Sequence, residues 1–359
     1  MRPTKLKTLS FLLSLLLAFL ALDTSYLLYI GGRPIPSSDA DSKALANPSV
    51  TQSTTRTLQI PAGQTLSHFA QSLYRKGWVP EPYSVRIWAA LDWPGMPIRT
   101  GEYTIGAKDS IRKILWTVIK GQVIRYPLTI PEGRTFRQLL TLLATAPRLQ
   151  HELANSSDSE IMALLGYPGE LPEGRFFPDT YYYVAGMKSL TVLRVAYARM
   201  QTIVQEAWSQ QQSNLAIKTP YEALILASII EKETAITSEL AIVSAVFHNR
   251  LRKHMRLQTD PTVIYGMGSA FQGNLRRRNL RQDTAYNTYT RFGLPPTPIA
   301  LPGKKAIIAA LHPADSKALY FVAMGNGRHY FSNTLAEHNQ AVARYQRRHG
   351  RKRAPVKRS

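Results

Sequence analysis

The 359-residue sequence contains no cysteine. That excludes disulfide staples, thiolate metal sites, cysteine nucleophiles and a lipid attached through cysteine. It leaves the redox compartment open. Acidic residues are scarce as well, with 23 Asp+Glu against 45 Lys+Arg and a formal net charge of +22. Such a surplus predicts an anionic partner or surface: nucleic acid, acidic lipid or an acidic polymer. The eight histidines are scattered, with no H-E-x-x-H or comparable cluster, and there is no G-x-S-x-G elbow. Neither a metallohydrolase nor a serine hydrolase is indicated, and no metal or cofactor is expected. His312 and His338 read as loop-packing residues. What the chain does have is 44% apolar residues with 19% charged, the composition of a globular protein with room for one large domain or two smaller ones.

One long hydrophobic run stands out. Leu9–Ile30 is 22 residues with a single charge, Asp23, and it follows Arg2, Lys5 and Lys7. At 1.5 Å per residue a helix of this length spans a hydrocarbon core of about 30 Å. An Asp near a helix centre costs about 2.5–3.5 kcal/mol, while each Leu, Ile or Phe returns about 0.3–0.6 kcal/mol. Ten Leu, two Phe and one Ile outweigh it. The leading cations put the N-terminus in the cytoplasm and the bulk of the chain outside. A cleaved signal peptide with Phe11–Leu22 as its apolar core is the alternative, but Ala18 and Ala21 are three apart, which gives no small-x-small cleavage site. Both readings export the chain. The first makes it a single-pass protein of the inner (cytoplasmic) membrane.

The remainder divides by composition. Residues 1–32 are the cytoplasmic N-terminus and transmembrane anchor, and 33–56, rich in Pro, Ser, Asp and Thr, read as a flexible linker. Over 57–127, a strand at Leu58–Ile60, helices at Thr65–Lys76, Tyr83–Leu91 and Ile111–Ile119, and short strands at Tyr103–Ile105 and Val123–Leu128 make a small α+β module. Residues 128–345 form a larger, mixed α/β domain with helices at Phe136–Ala144 and from Ser189. The last residues, 346–359, are a basic, disordered tail.

The chemistry concentrates after Thr219. Thr219 caps a helix, Pro220 suits its first turn and Glu222 closes a capping box. Ala223–Ile230 is apolar nearly all round, so the helix is buried. It runs directly into Glu231-Lys232-Glu233. A carboxyl at a helix C-terminus feels the negative end of the dipole, and partial burial disfavours its charge; both raise its pKa toward the range of a general acid. A solvated Glu beside a paired one is the plainer alternative. A second helix is expected over Ser238–Lys253, capped by Thr237, and a third at Asp260-Pro261. Leu257–Thr262, Ala285–Thr290 and Gly293–Pro296 interleave amides, hydroxyls and aromatics in a way that suits a sugar.

The motifs ASIIEKET (227–234), RLQTDPTVIYGMG (256–268), AYNTYT (285–290), GLPP (293–296), AALHPA (309–314) and LYFVAMGNGRHYFSNTLAEHN (319–339), with EGRFFPDTYYY (173–183), resemble the YceG-like family of membrane-anchored endolytic murein transglycosylases. The resemblance runs from the anchor to about residue 345 and leaves out the tail. It implies a LysM-like subdomain at 57–127 and Glu233 as the catalytic acid/base. It implies a lyase that cuts the MurNAc–GlcNAc bond inside glycan strands, leaves 1,6-anhydro-MurNAc ends and terminates nascent strands. Peptidoglycan synthases of the elongation machinery are then expected partners, and nucleic acid is not. Glu231, about 200° round the helix from Glu233, is expected to act behind it or structurally. Gln258, Asp260, Tyr286, Asn287 and Tyr289 are expected to line the glycan groove. A non-catalytic, membrane-tethered wall-binding scaffold is the rival reading.

Overall fold

The computed structural model describes residues 21–35 and 55–351, with side chains to Tyr345. The first twelve residues of the apolar run, most of the expected linker and most of the basic tail lie outside the described residues. Among those described, no helix is long and apolar enough to cross a membrane. The chain forms two compact units, residues 1–126 with 184–186, and residues 127–183 with 187–359. Its architecture is α+β, with strands that pair only in twos among the described residues.

In the smaller unit β1 (Thr55–Ile60) pairs antiparallel with β2 (Gly101–Gly106), from Thr55 opposite Gly106 to Ile60 opposite Gly101. Between them lie α1 (Leu66–Arg75) and α2 (Pro82–Asp92), and α3 (Ile111–Lys120) follows. Thr65 and Ser110 cap α1 and α3 by accepting from the third backbone N–H of each helix. Leu58, Ile60, Phe69, Leu73, Trp88, Tyr103, Ile114 and Leu115 form the core. Residues 33–35, expected as the start of the flexible linker, belong to this unit: Ile35 is buried in the core and its N–H donates to Asp109 O at 3.1 Å.

The larger unit is mostly helical. β3 (Tyr126–Thr129) pairs with β4 (Thr180–Tyr183), and the helices are α4 (Phe136–Thr145), α5 (Asp158–Leu165), α6 (Ser189–Ser209), α7 (Pro220–Glu233), α8 (Leu240–Arg252), α9 (Asp260–Met267), α10 (Arg277–Arg281) and α11 (Lys304–Leu311). An antiparallel ribbon of β5 (Tyr320–Ala323) and β6 (His329–Ser332) precedes α12 (Leu335–Arg351). The sheets of this unit are two-stranded ribbons among the described residues, set among helices.

α7 is the axis of the fold. All eight residues from Ala223 to Ile230 are buried, wrapped by Met200, Ile203 and Val204 of α6, Val243 and Phe247 of α8, and Ile307, Ala310 and Leu311 of α11. Burial of this much apolar side chain stabilises by about 1.5–3 kcal/mol per large residue before chain entropy is subtracted. Ser228, the one hydroxyl in that stretch, bonds Ile225 O at 2.7 Å and accepts from Ile299 N at 2.9 Å, so it pins the Pro-rich loop to the helix. Thr219 accepts from Glu222 N as a cap should. Glu222 itself reaches Lys218 N rather than Thr219 N, so the reciprocal capping box does not form. The expected Ser238 helix start also differs. Thr237–Glu239 is a tight 3₁₀ turn, and the α-helix begins at Leu240 because Glu239 is turned inward to other partners.

Candidate active site

Glu233 is the last residue of α7, placed where the apolar helix ends and the chain turns extended at Thr234. Its Oε1 accepts a hydrogen bond from Thr259 Oγ1. Burial pushes the carboxyl above its ordinary pKa. The Thr259 bond and the charges of His329 and Arg250 oppose that rise, and the charge of Asp260 adds to it. The net direction is upward, that of a carboxyl that keeps its proton to higher pH.

The partners of Glu233 are themselves fixed. Thr259 is the N-cap position of α9, but its hydroxyl serves Glu233 instead of the helix. Its N–H donates to Thr288 Oγ1 at 3.1 Å, and Thr288 and Thr262 share a bond of 2.9 Å. Arg250 is buried on α8 and ties down the preceding loop. Its Nε donates to Leu319 O at 2.6 Å, and its Nη1 to Leu257 O at 2.9 Å, Arg256 O at 3.2 Å and Gln258 Oε1 at 3.4 Å. Gln258 holds a left-handed φ of 51°, an uncommon conformation for a residue with a Cβ. His329 donates from Nδ1 to Glu239 Oε2 at 2.8 Å and from its backbone to Glu239 Oε1 at 3.1 Å. Burial works against charge on Glu239, but these bonds hold its carboxyl below the usual range. Glu239 is also within 3.4 Å of Thr234 Oγ1, next to Glu233 in the chain.

The other expected site residues divide into three groups. Gln258 and Asp260 are exposed, the charge of Asp260 reaches Glu233, and Tyr289 donates to Asp260 Oδ1 at 2.6 Å. Tyr286 lies in a cleft wall, with its hydroxyl 2.9 Å from Thr297 Oγ1 and its ring edge-on to Tyr265. Asn287 is a correction to the expected groove. It is buried, its Nδ2 donates to the carbonyls of Asn279, Leu280 and Gln282, and its Oδ1 accepts from Tyr289 N. With its amide spent on the backbone, it shapes the loop that carries Tyr286 and Tyr289. Glu231 points elsewhere from Glu233: its Oε2 accepts from Gly303 N at 3.1 Å, and burial raises its pKa.

The cleft has a volume of about 1030 Å³. Lys232 and Pro261, neighbours of Glu233 and Asp260 in the chain, contribute to its wall, as do Glu173, Tyr265, Ile264 and Arg137; Glu233 itself is not in that wall. A second cavity of about 720 Å³ lies against Thr219, Pro220 and Tyr221 at the other end of α7. The 14 residues of α7 separate the two ends, about 20 Å of helix, which removes the second cavity from the chemistry.

Glu173 opens the EGRFFPDTYYY motif and was missed as a candidate. It is buried, accepts from Phe136 N at 3.0 Å at the start of α4 and from Tyr265 Oη at 3.0 Å. Gly174 beside it has φ +78°, and a Cβ there would come within 2.4 Å of Pro298, so only glycine lets the motif close on that loop. Burial pushes Glu173 from 4.5 up to about 7. The folded protein therefore holds this proton more tightly than the unfolded chain. The associated stability is complete below pH 4.5 and is lost as pH rises through about 7. It amounts to on the order of 3 kcal/mol. Glu173→Gln is expected to flatten the pH dependence of the urea midpoint across that window. An unchanged slope would remove Glu173 as its source. Thr259, Arg250 and His329 were missed as well. Thr259 and His329 lie inside motifs visible in the sequence, whereas Arg250 gave no local signal.

The site so defined is that of a protein built around a half-buried, proton-holding carboxyl at a helix end, beside an aromatic and polar cleft. The chain belongs to the YceG-like family, which matches residues 58–344. It is 28% identical over 311 residues to the endolytic murein transglycosylase of Bacillus subtilis, covering 81% of this chain and 85% of that protein. It is 27% identical over 327 residues to the endolytic murein transglycosylase of Streptococcus pneumoniae, covering 80% of this chain but 58% of the longer relative. Among solved structures, a putative YceG-like protein of Listeria monocytogenes shares 28% identity with a TM-score of 0.53, over 80% of this chain and 99% of that one.

Proposed function

We propose that the protein is an endolytic peptidoglycan lytic transglycosylase, with Glu233 as its acid and base. The observation that carries this reading is the Glu233 carboxyl itself, half-buried at the end of α7, raised in pKa and bonded to Thr259. In the proposed reaction Glu233 gives its proton to the glycosidic oxygen as the C1–O4 bond between MurNAc and GlcNAc breaks. The 6-hydroxyl of the same MurNAc then attacks C1 and returns its proton to Glu233. No water is consumed, the product end is 1,6-anhydro-MurNAc, and the carboxyl is regenerated. The cleft with Tyr265 and Tyr286 supplies faces for sugar C–H groups and hydroxyls for their edges.

A second reading has one observation in its favour. Asp260 is close enough for its charge to act on Glu233, and a hydrolase needs a second carboxylate. Digestion of purified peptidoglycan by the full chain, followed by mass spectrometry of the strand ends, separates the two. Anhydro ends are expected; reducing MurNAc ends would replace the lytic mechanism with hydrolysis. No cleavage by folded protein would favour a non-catalytic wall-binding scaffold.

In this reading Leu9–Ile30 anchors the protein in the inner membrane with its enzymatic part outside. The smaller unit is LysM-like, and cuts within nascent strands terminate their elongation by partner synthases. The family relationship and the exported character of the sequence support these assignments. The Thr259 hydroxyl stabilises the charged form of Glu233, so Thr259→Val raises the carboxyl's pKa further. The alkaline limb of the pH profile of kcat/KM, where the acid loses its proton, is expected to move to higher pH. A limb that stays in place would mean that a different group sets it.

A further inference from the structure

Residues 21–32 are helical, and this segment is clasped by the smaller unit along α2. Asp23 is near enough to Tyr83 for its charge to act on the phenol. Tyr26 donates to Glu81 Oε2 at 3.1 Å, at the N-cap of α2. Leu27 packs against the core, and a Cβ on Gly31 would come within 2.6 Å of the Trp88 indole. Pro34 bridges Ser110, and Ile35 bonds Asp109 O. The contacts run in order, from the N-terminal end of α2 at residue 23 to the start of α3 at residue 35. The unit therefore has a defined end toward the preceding apolar run.

That order constrains the span. From Leu9 to Ser25, before the first clasping bond at Tyr26, there are 17 residues. As a helix they cover about 26 Å, short of a hydrocarbon core of about 30 Å. A folded body fastened at that point cannot stand away from the bilayer; its near end reaches the headgroups. The near end is where α1 finishes and α2 begins. Its exposed side chains include Tyr74, Arg75, Lys76, Tyr83 and Arg86. Lys76 also lies over the Trp78 ring at 5.8 Å. Tyrosines with a polar tip settle at headgroup level, and cations there are drawn to anionic lipid.

We propose that this end of the smaller unit is a membrane-contact surface for anionic phospholipid headgroups, formed by Tyr74, Arg75, Lys76, Tyr83 and Arg86. The inference rests on the proposed anchor. It replaces a tethered, freely swinging unit with one seated on the bilayer. The occupant is lipid because the chain leads from this surface into the apolar run, and because the surface pairs cations with aromatics.

The absence of cysteine makes the test direct. Single variants Tyr83→Cys and Lys108→Cys of the full chain, each carrying a fluorophore, are reconstituted in vesicles of phosphatidylethanolamine and phosphatidylglycerol containing a headgroup spin-labelled lipid. Lys108 is exposed beside Asp109, at the far end of the clasp. Quenching at position 83 is expected to be several-fold stronger than at 108. Adding Arg75→Gln, Lys76→Gln and Arg86→Gln should reduce it. Protein that floats with the vesicles yet quenches equally at both positions overturns the contact surface and leaves the anchor standing. Protein that does not float overturns the anchor and the surface together.

Discussion

Glu233→Gln abolishes glycan cleavage, by about 10²–10⁴-fold if only proton transfer is lost, and leaves the folded protein intact. The amide keeps the size and can still accept from Thr259, so the bond that fixes the side chain survives the exchange. What it cannot do is give a proton to the leaving oxygen or take one from the attacking hydroxyl. The loss should fall on kcat with little change in KM, because no substrate contact need be removed. Removing a half-buried ionisable group also removes its pH-dependent cost, so the variant should be no less stable near neutral pH than the parent. The measurement is release of anhydro-MurNAc ends from purified peptidoglycan, with thermal unfolding as the control. Retention of parental turnover by the folded variant would eliminate Glu233 as the acid and assign the proton transfer to another group. The same exchange at Glu231 is expected to act differently. Its carboxyl holds Gly303 N, so Glu231→Gln preserves that acceptor and should cost far less turnover.

The contrast between these two carboxyls was legible in the sequence, because spacing of two residues on a helix separates side chains by about 200°. Helix α7 was legible for a similar reason. Eight nearly continuous apolar residues between a Thr-Pro start and a charged end admit only a buried helix. The partners of Glu233 were not legible. Arg250 lies 17 positions on in the sequence and His329 lies 96 positions on, and only the tertiary fold brings their charges to the carboxyl. Asn287 shows the opposite failure. A polar amide between two tyrosines resembles a sugar contact, yet local backbone carbonyls claimed its donors first. The same competition moved the start of α8, where Glu239 gave up a helix cap for His329.

Arg250→Met is expected to cost both stability and the tuning of Glu233, and the two losses can be separated. The guanidinium holds the carbonyls of Leu319, Arg256 and Leu257 from one buried position. Methionine fills a similar volume but donates nothing, and stranding several buried carbonyls costs about 3 kcal/mol or more. That loss should appear as a lower urea midpoint with an unchanged slope. Arg250 also holds Glu233 down electrostatically, so without its charge the carboxyl rises and the alkaline limb of the activity profile moves to higher pH. Turnover should fall too, because the loop released at Arg256–Gln258 leads directly into Thr259, the residue that orients Glu233. Arg250→Lys separates these effects. It restores the charge but not the forked geometry that reaches several carbonyls at once. The pH limb is expected to return toward the parent in Arg250→Lys while the urea midpoint stays low. If the limb stays shifted although the charge is restored, Arg250 acts on Glu233 only by holding the loop. If the limb never moves in Arg250→Met, its charge does not tune Glu233 at all.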